Sequence, residues 1–69
     1  MNEPQPGQYL HHKGGLYEVI GIAHHSETHQ ELVVYRALYG EGGLWVRPRQ
    51  MFLETVLVEG KLAPRFQRI

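Results

Sequence analysis

The stretch LVVYRALYGEGGLWVRP, Leu32 to Pro48, decides how this chain folds. Two runs rich in β-branched and aromatic residues, LVVYRALY and LWVRP, flank a glycine-rich reversal at Gly40-Glu41-Gly42-Gly43. Glycine supplies the positive φ that a tight turn needs, so the pattern predicts a β-hairpin. With Glu41-Gly42 as the turn, Tyr39 faces Leu44, Leu38 faces Trp45, Ala37 faces Val46 and Arg36 faces Arg47. A four-residue loop keeps that register, whereas a three- or five-residue loop shifts it by one.

Side chains alternate across a strand, so each face can be read separately. In this register Val33, Tyr35, Ala37, Tyr39, Leu44 and Val46 share an uncharged face, the expected core face. The other face carries Leu32, Val34, Arg36, Leu38, Trp45 and Arg47. Like charges directly across a ladder are unfavourable, so the two arginines require solvent, a glutamate or an anionic ligand to balance them.

Outward from the hairpin, Met1 to Pro6 reads as a flexible leader, and residues 7–69 as one domain. GQYLHHK, Gly7 to Lys13, and LYEVIGIA, Leu16 to Ala23, make a second hairpin about Gly14-Gly15, with Tyr9 facing Ile20 and Leu10 facing Val19. Gly21 marks a bulge or sharp bend in mid-strand. HHSETHQE, His24 to Glu31, is a polar loop in which Thr28 and Glu31 have capping-box spacing. Pro48 stops the ladder, and RQMFLE, Arg49 to Glu54, suits one helical or 3₁₀ turn with Met51 and Phe52 turned inward. TVLV, Thr55 to Val58, is a fifth short strand, Gly60 turns the chain, and Phe66 anchors the closing segment. Five short strands and one helical turn predict an all-β fold, a small barrel whose closure removes exposed edges.

Sixty-nine residues bury only about 60% of their unfolded surface, and no cysteine is present to supply a disulfide. That lack of cysteine suits a reducing compartment, no apolar run is long enough to span a membrane, and the N-terminus lacks a signal-type apolar stretch; a cytoplasmic location is the expectation. The formal charge is zero, yet Met1 to Val34 carries one lysine and four glutamates, −3, while Tyr35 to Ile69 carries six basic residues and three glutamates, +3. A neutral total speaks against a general nucleic-acid binder, and the asymmetry implies pairing between the halves or a local anion site.

The quoted pieces jointly resemble a known family. Pro6-Gly7-x-Tyr9 with His11 and Lys13-Gly14, Tyr17-Glu18-Val19-Ile20-Gly21, Glu27-Thr28 and Val33-Val34-Tyr35-Arg36 form the first half of the match. Leu38-Tyr39, Trp45-Val46-Arg47-Pro48, Met51-Phe52 and Pro64-Arg65-Phe66 complete it. The chain is thereby similar to a family of small bacterial proteins known as domain of unknown function 1653. The resemblance implies an SH3-like five-stranded barrel and brings no catalytic residues with it.

For chemistry, adjacent histidines such as His11-His12 point to opposite sides of a strand, so the five histidines form no ligand set and no metal or other cofactor is expected. His25-Ser26-Glu27 cannot align as a triad over three consecutive residues. The glycines precede no helix with the lysine and threonine of a phosphate loop. Arg36, Trp45 and Arg47 remain: guanidinium forks match carboxylates and phosphates, and an indole offers a stacking plane. The expectation is a binding module for a small anionic or planar ligand, or for an acidic peptide of a protein partner. Glu27 and Thr28 would stand at the rim, and Arg65 joins if the tail folds back. The alternatives are a small enzyme acting on a nucleotide-like substrate with Glu27 or His24 as acid or base, and an RNA-associated module. A homodimer through a sheet edge would also account for exposed apolar residues.

Overall fold

A computed structural model describes residues 4–69. Part of the expected leader, residues 1–3, lies outside the described residues; within the rest, the Tyr9 hydroxyl donates to the Gln5 carbonyl at 2.9 Å and Arg68 to the Pro6 carbonyl at 3.2 Å. The strands are β1 (Gly7–His11), β2 (Leu16–His24), β3 (Glu31–Ala37), β4 (Leu44–Pro48), β5 (Thr55–Val58), β6 (Lys61–Pro64) and β7 (Phe66–Arg68), with one short helix α1 (Arg49–Phe52) between β4 and β5. An antiparallel sheet has the order β4-β3-β2-β1-β7, and β5-β6 form a separate two-stranded ribbon. The all-β expectation stands, as do the short helix and the strand after it. The five-stranded closed barrel does not: seven strands divide between two sheets, and no ladder joins β4 to β7 among the described residues. The two extra strands come from the C-terminal segment. Glu59 and Gly60, both at positive φ, reverse the chain so that β6 pairs with β5, and β7 then crosses to β1.

The β1–β2 and β3–β4 hairpins have odd loops, and this corrects the expected registers. Ala37 N–H donates to the Gly43 carbonyl, so five residues, 38–42, make the β3–β4 loop. Gly40 and Gly42 take up its positive φ angles of 59° and 68°. His11 N–H donates to the Gly15 carbonyl, leaving three residues, 12–14, with Gly14 at φ 103°. An odd loop reverses the parity of the pairing. Tyr35 therefore faces Trp45, Val33 faces Arg47, Val34 faces Val46 and Arg36 faces Leu44. Likewise Tyr9 faces Tyr17 rather than Ile20.

The core follows from this parity. Tyr9, Val19, Val33, Tyr35, Ala37, Phe52 and Phe66 are buried, whereas Leu44 and Val46, expected on the core face, are exposed. The bulge expected at Gly21 is present: the β2–β3 register shifts between Val19 and Gly21, leaving Ile20 as the extra, exposed residue. That one-residue insertion brings Ile22 opposite Val33 and against the core. Helix α1 drops Phe52 onto Phe66, rings stacked at 4.2 Å and 5° apart, while Met51 points outward, contrary to expectation. Glu18–Arg36 and Glu31–Arg49 join the acidic half of the chain to the basic half.

Candidate functional site

The core-facing side of the five-stranded sheet gathers the chain's aromatic rings. From β1 come Tyr9 and His11, from β2 Tyr17, from β3 Tyr35, from α1 Phe52 and from β7 Phe66. They meet mostly edge to face: Tyr17 touches Tyr35 at 5.4 Å and Phe66 at 5.6 Å, and His11 meets Phe66 at 4.8 Å. Such pairs add about 0.5–1.5 kcal/mol each beyond the area they bury.

On this side sits Arg47, opposite Val33. Its Nε donates to the Tyr35 hydroxyl at 3.4 Å, and its Cζ lies 5.8 Å from the centre of the Phe66 ring. Among the described residues no carboxylate pairs with it. Trp45, two residues back along β4 and hence about 7 Å away, shares its face and is more than half exposed. Arg36 lies on the other side of the sheet, where its Nη2 meets Glu18 at 2.7 Å across the ladder. The expected pair of opposed arginines is thus split by the register. Arg47 and Trp45 stay together, and Arg36 belongs to an exposed ion pair of a kind worth about 0–1 kcal/mol.

The remaining expected site residues lie elsewhere. Glu27 and Thr28 occupy the β2–β3 loop, at the opposite end of β3 from the β3–β4 loop. There His25 Nδ1 accepts from both their backbone N–H groups, and Thr28 Oγ1 accepts from Gln30 N–H. These bonds fix the loop's shape: the His29 N–H donates to the His25 carbonyl at 2.9 Å, closing a single i→i+4 turn that ends with His29 at φ 64°, and no helix starts at Thr28. Arg65 is tied to Glu54 twice, by its side chain at 3.1 Å and by its backbone N–H at 2.9 Å.

Sequence reasoning missed Tyr17, Tyr39 and His11 as parts of this surface. The hydroxyls of Tyr17 and Tyr39 share a hydrogen bond of 2.6 Å. That bond, then burial, pushes the Tyr17 phenol up to about 12. Gly15 makes room for the pair: a Cβ there would lie 3.1 Å from both rings. Burial lowers the His11 pKa, helped by His12, Arg47, Arg65 and Lys13, and its Nδ1 accepts from the Lys13 N–H at 3.1 Å. Tyr39 forms the wall between two hollows. One, of about 550 Å³, is lined by His11, Lys13, Gly15, Leu16, Tyr17 and Leu38 as well as Tyr39. The other, of about 340 Å³, lies between Tyr39, Ala37, Glu41 and Trp45 over the β3–β4 glycines. Both are open hollows with a mainly apolar lining.

Fold and site together define a small antiparallel β domain whose aromatic face holds the Arg47 guanidinium without a carboxylate partner among the described residues. The chain belongs to the family described as "Protein of unknown function (DUF1653)", whose model matches residues 7–68. It is similar to a solved member of that family from Bordetella bronchiseptica, with 35% identity and a TM-score of 0.88 over 96% of this chain and 87% of the other. No curated protein matches.

Proposed function

We propose that this domain is a binding module for a small ligand that joins a planar group to an anionic one. The planar group lies in the hollow between Tyr39 and Trp45, and the anion meets the Arg47 guanidinium about 7 Å further along β4. The observation that carries the reading is Arg47 itself. Its guanidinium is oriented by the Tyr35 hydroxyl and the Phe66 ring, and among the described residues it faces no carboxylate. A charge held in place but not neutralised is available to a ligand, and a charge-assisted bond there contributes about 1.5–3 kcal/mol. In fold terms we read the bent sheet and its ribbon as an opened form of the SH3-like arrangement. A reducing, cytoplasmic setting suits a chain without cysteine.

Thermal-shift and calorimetric titrations with a nucleoside monophosphate, the matching nucleoside and inorganic phosphate test this. The monophosphate should bind best, because it alone offers both groups, and Arg47→Ala should weaken it at least tenfold while the domain stays folded. Equal binding of all three ligands, or full affinity in the folded Arg47→Ala variant, would remove the proposal.

A further inference from the structure

Strand β4 ends the sheet, and the direction of its backbone groups follows from one bond. Ala37 and Gly43 are a hydrogen-bonded pair, so by alternation Tyr35–Trp45 and Val33–Arg47 are too. The amide groups of Leu44 and Val46, and the Pro48 carbonyl, then point away from β3. Among the described residues no strand meets them. Pro48, which has no N–H to offer, falls in that outward set, as suits the end of an edge ladder.

Edge strands are ordinarily blunted by short length, charged side chains, proline, a bulge or a covering element. On β4 the charge and the proline, Arg47 and Pro48, stand at its C-terminal end, no bulge interrupts it, and Leu44, Trp45 and Val46 are exposed by more than half. The opposite edge, β7, is three residues long and includes Arg68. Nor does charge hold copies apart, since the formal net charge is zero.

We propose that β4 pairs antiparallel with β4 of a second copy of this chain, with Val46 on the two-fold axis. The strand's sequence is complementary to itself in that register. Val46 exchanges both backbone bonds with its mate, and the Leu44 N–H donates to the Pro48 carbonyl of the other copy. Leu44, Val46 and Pro48 form a continuous apolar stripe on the outer side. On the core-facing side Trp45 of each copy faces Arg47 of the other, so the one charge on the strand meets an aromatic plane. Arg47 would repel most other edges placed against it, but in this register it selects the matching one. The dimer stands independently of the ligand reading, and brings a second indole beside each Arg47.

Sedimentation across micromolar to millimolar concentration tests the association, and single-cysteine variants test the register, because the chain has no cysteine of its own. The expected result is a rise from 8.0 kDa toward twice that mass, abolished by Val46→Lys with an unchanged circular-dichroism spectrum. Since Val46 lies on the outer side, Val46→Lys keeps Arg47 and Trp45 in place, and the monophosphate titration still reads the ligand site in the monomer. In the proposed register Val46→Cys should cross-link under mild oxidation, its Cα atoms about 5.5 Å apart, well ahead of Leu57→Cys on the exposed ribbon. A wild-type chain that stays monomeric throughout would overturn the proposal. So would Leu57→Cys cross-linking as fast as Val46→Cys, or Trp45→Cys cross-linking faster, which would put Trp45 on the axis instead.

Discussion

Replacing Phe66 by alanine removes the ring on which the aromatic core is assembled. Phe66 is 6% exposed, stacks on Phe52, and touches His11, Tyr17 and Tyr35 at its edges, with Arg47 above it. An aromatic side chain buries about 200 Å², which at about 25 cal/mol per Å² is on the order of 5 kcal/mol. Measured Phe→Ala losses in cores are about 3–5 kcal/mol. A domain of this size has a total stability of roughly 3–10 kcal/mol, so the substitution removes about 30% of it at the least. Urea unfolding followed by circular dichroism reads this out. With a slope near 1 kcal/mol per molar, the midpoint should fall by about 3 M or the variant should be unfolded without urea. Leu57→Ala, on the exposed ribbon, should move the midpoint little. A Phe66→Ala midpoint within about 0.5 M of the wild type would refute the claim that this ring centres the core.

Three further outcomes follow from the tyrosine pair and its neighbours. Gly15→Ala, whose new methyl meets the Tyr17 and Tyr39 rings at 3.1 Å, should part the hydroxyls and bring the Tyr17 phenol down from about 12 in an ultraviolet titration. The raised Tyr17 pKa means that the unfolded chain loses this proton first as pH rises above about 10. Stability should therefore decline between about pH 10 and 12, and less steeply in Tyr17→Phe. His11 has the opposite sign: its folded pKa lies below the ordinary histidine value of about 6.5, so the unfolded chain takes the proton first as pH falls. Stability should drop as pH goes below that value, and His11→Phe should flatten this acid arm in thermal melts at pH 5 to 8.

Much of the fold is legible in the letters because the glycines and prolines mark where strands end. The hairpins at Gly14 and Gly42, the bulge at Gly21 and the turn of helix after Pro48 all occur where local backbone chemistry requires them. Parity is what local chemistry leaves open. GEGG accepts a two-, three-, four- or five-residue loop, and the choice between odd and even moves every side chain of β4 to the other face. Val33, Tyr35 and Ala37 are legible as core because β3 alone is apolar on that side, while the faces of Leu44, Trp45, Val46 and Arg47 depend on the partner strand's register and come out opposite to the even-loop expectation. A physical hint was present: the even register sets Arg36 against Arg47, whereas the observed one gives Arg36 to Glu18 and sets Trp45 beside Tyr35. The Tyr17–Tyr39 bond joins residues 22 apart in sequence, and no local pattern announces it.

The face on which each arginine lies is open to direct test, because Trp45 is the chain's one tryptophan and lies on the same side as Arg47. Its fluorescence, titrated with a nucleoside monophosphate in the wild type, Arg36→Ala and Arg47→Ala, separates the two sides of the sheet. Quenching should persist in Arg36→Ala at the wild-type midpoint and be lost, or shifted at least tenfold, in Arg47→Ala. Equal losses in both variants, or quenching that survives only without Arg36, would contradict the account.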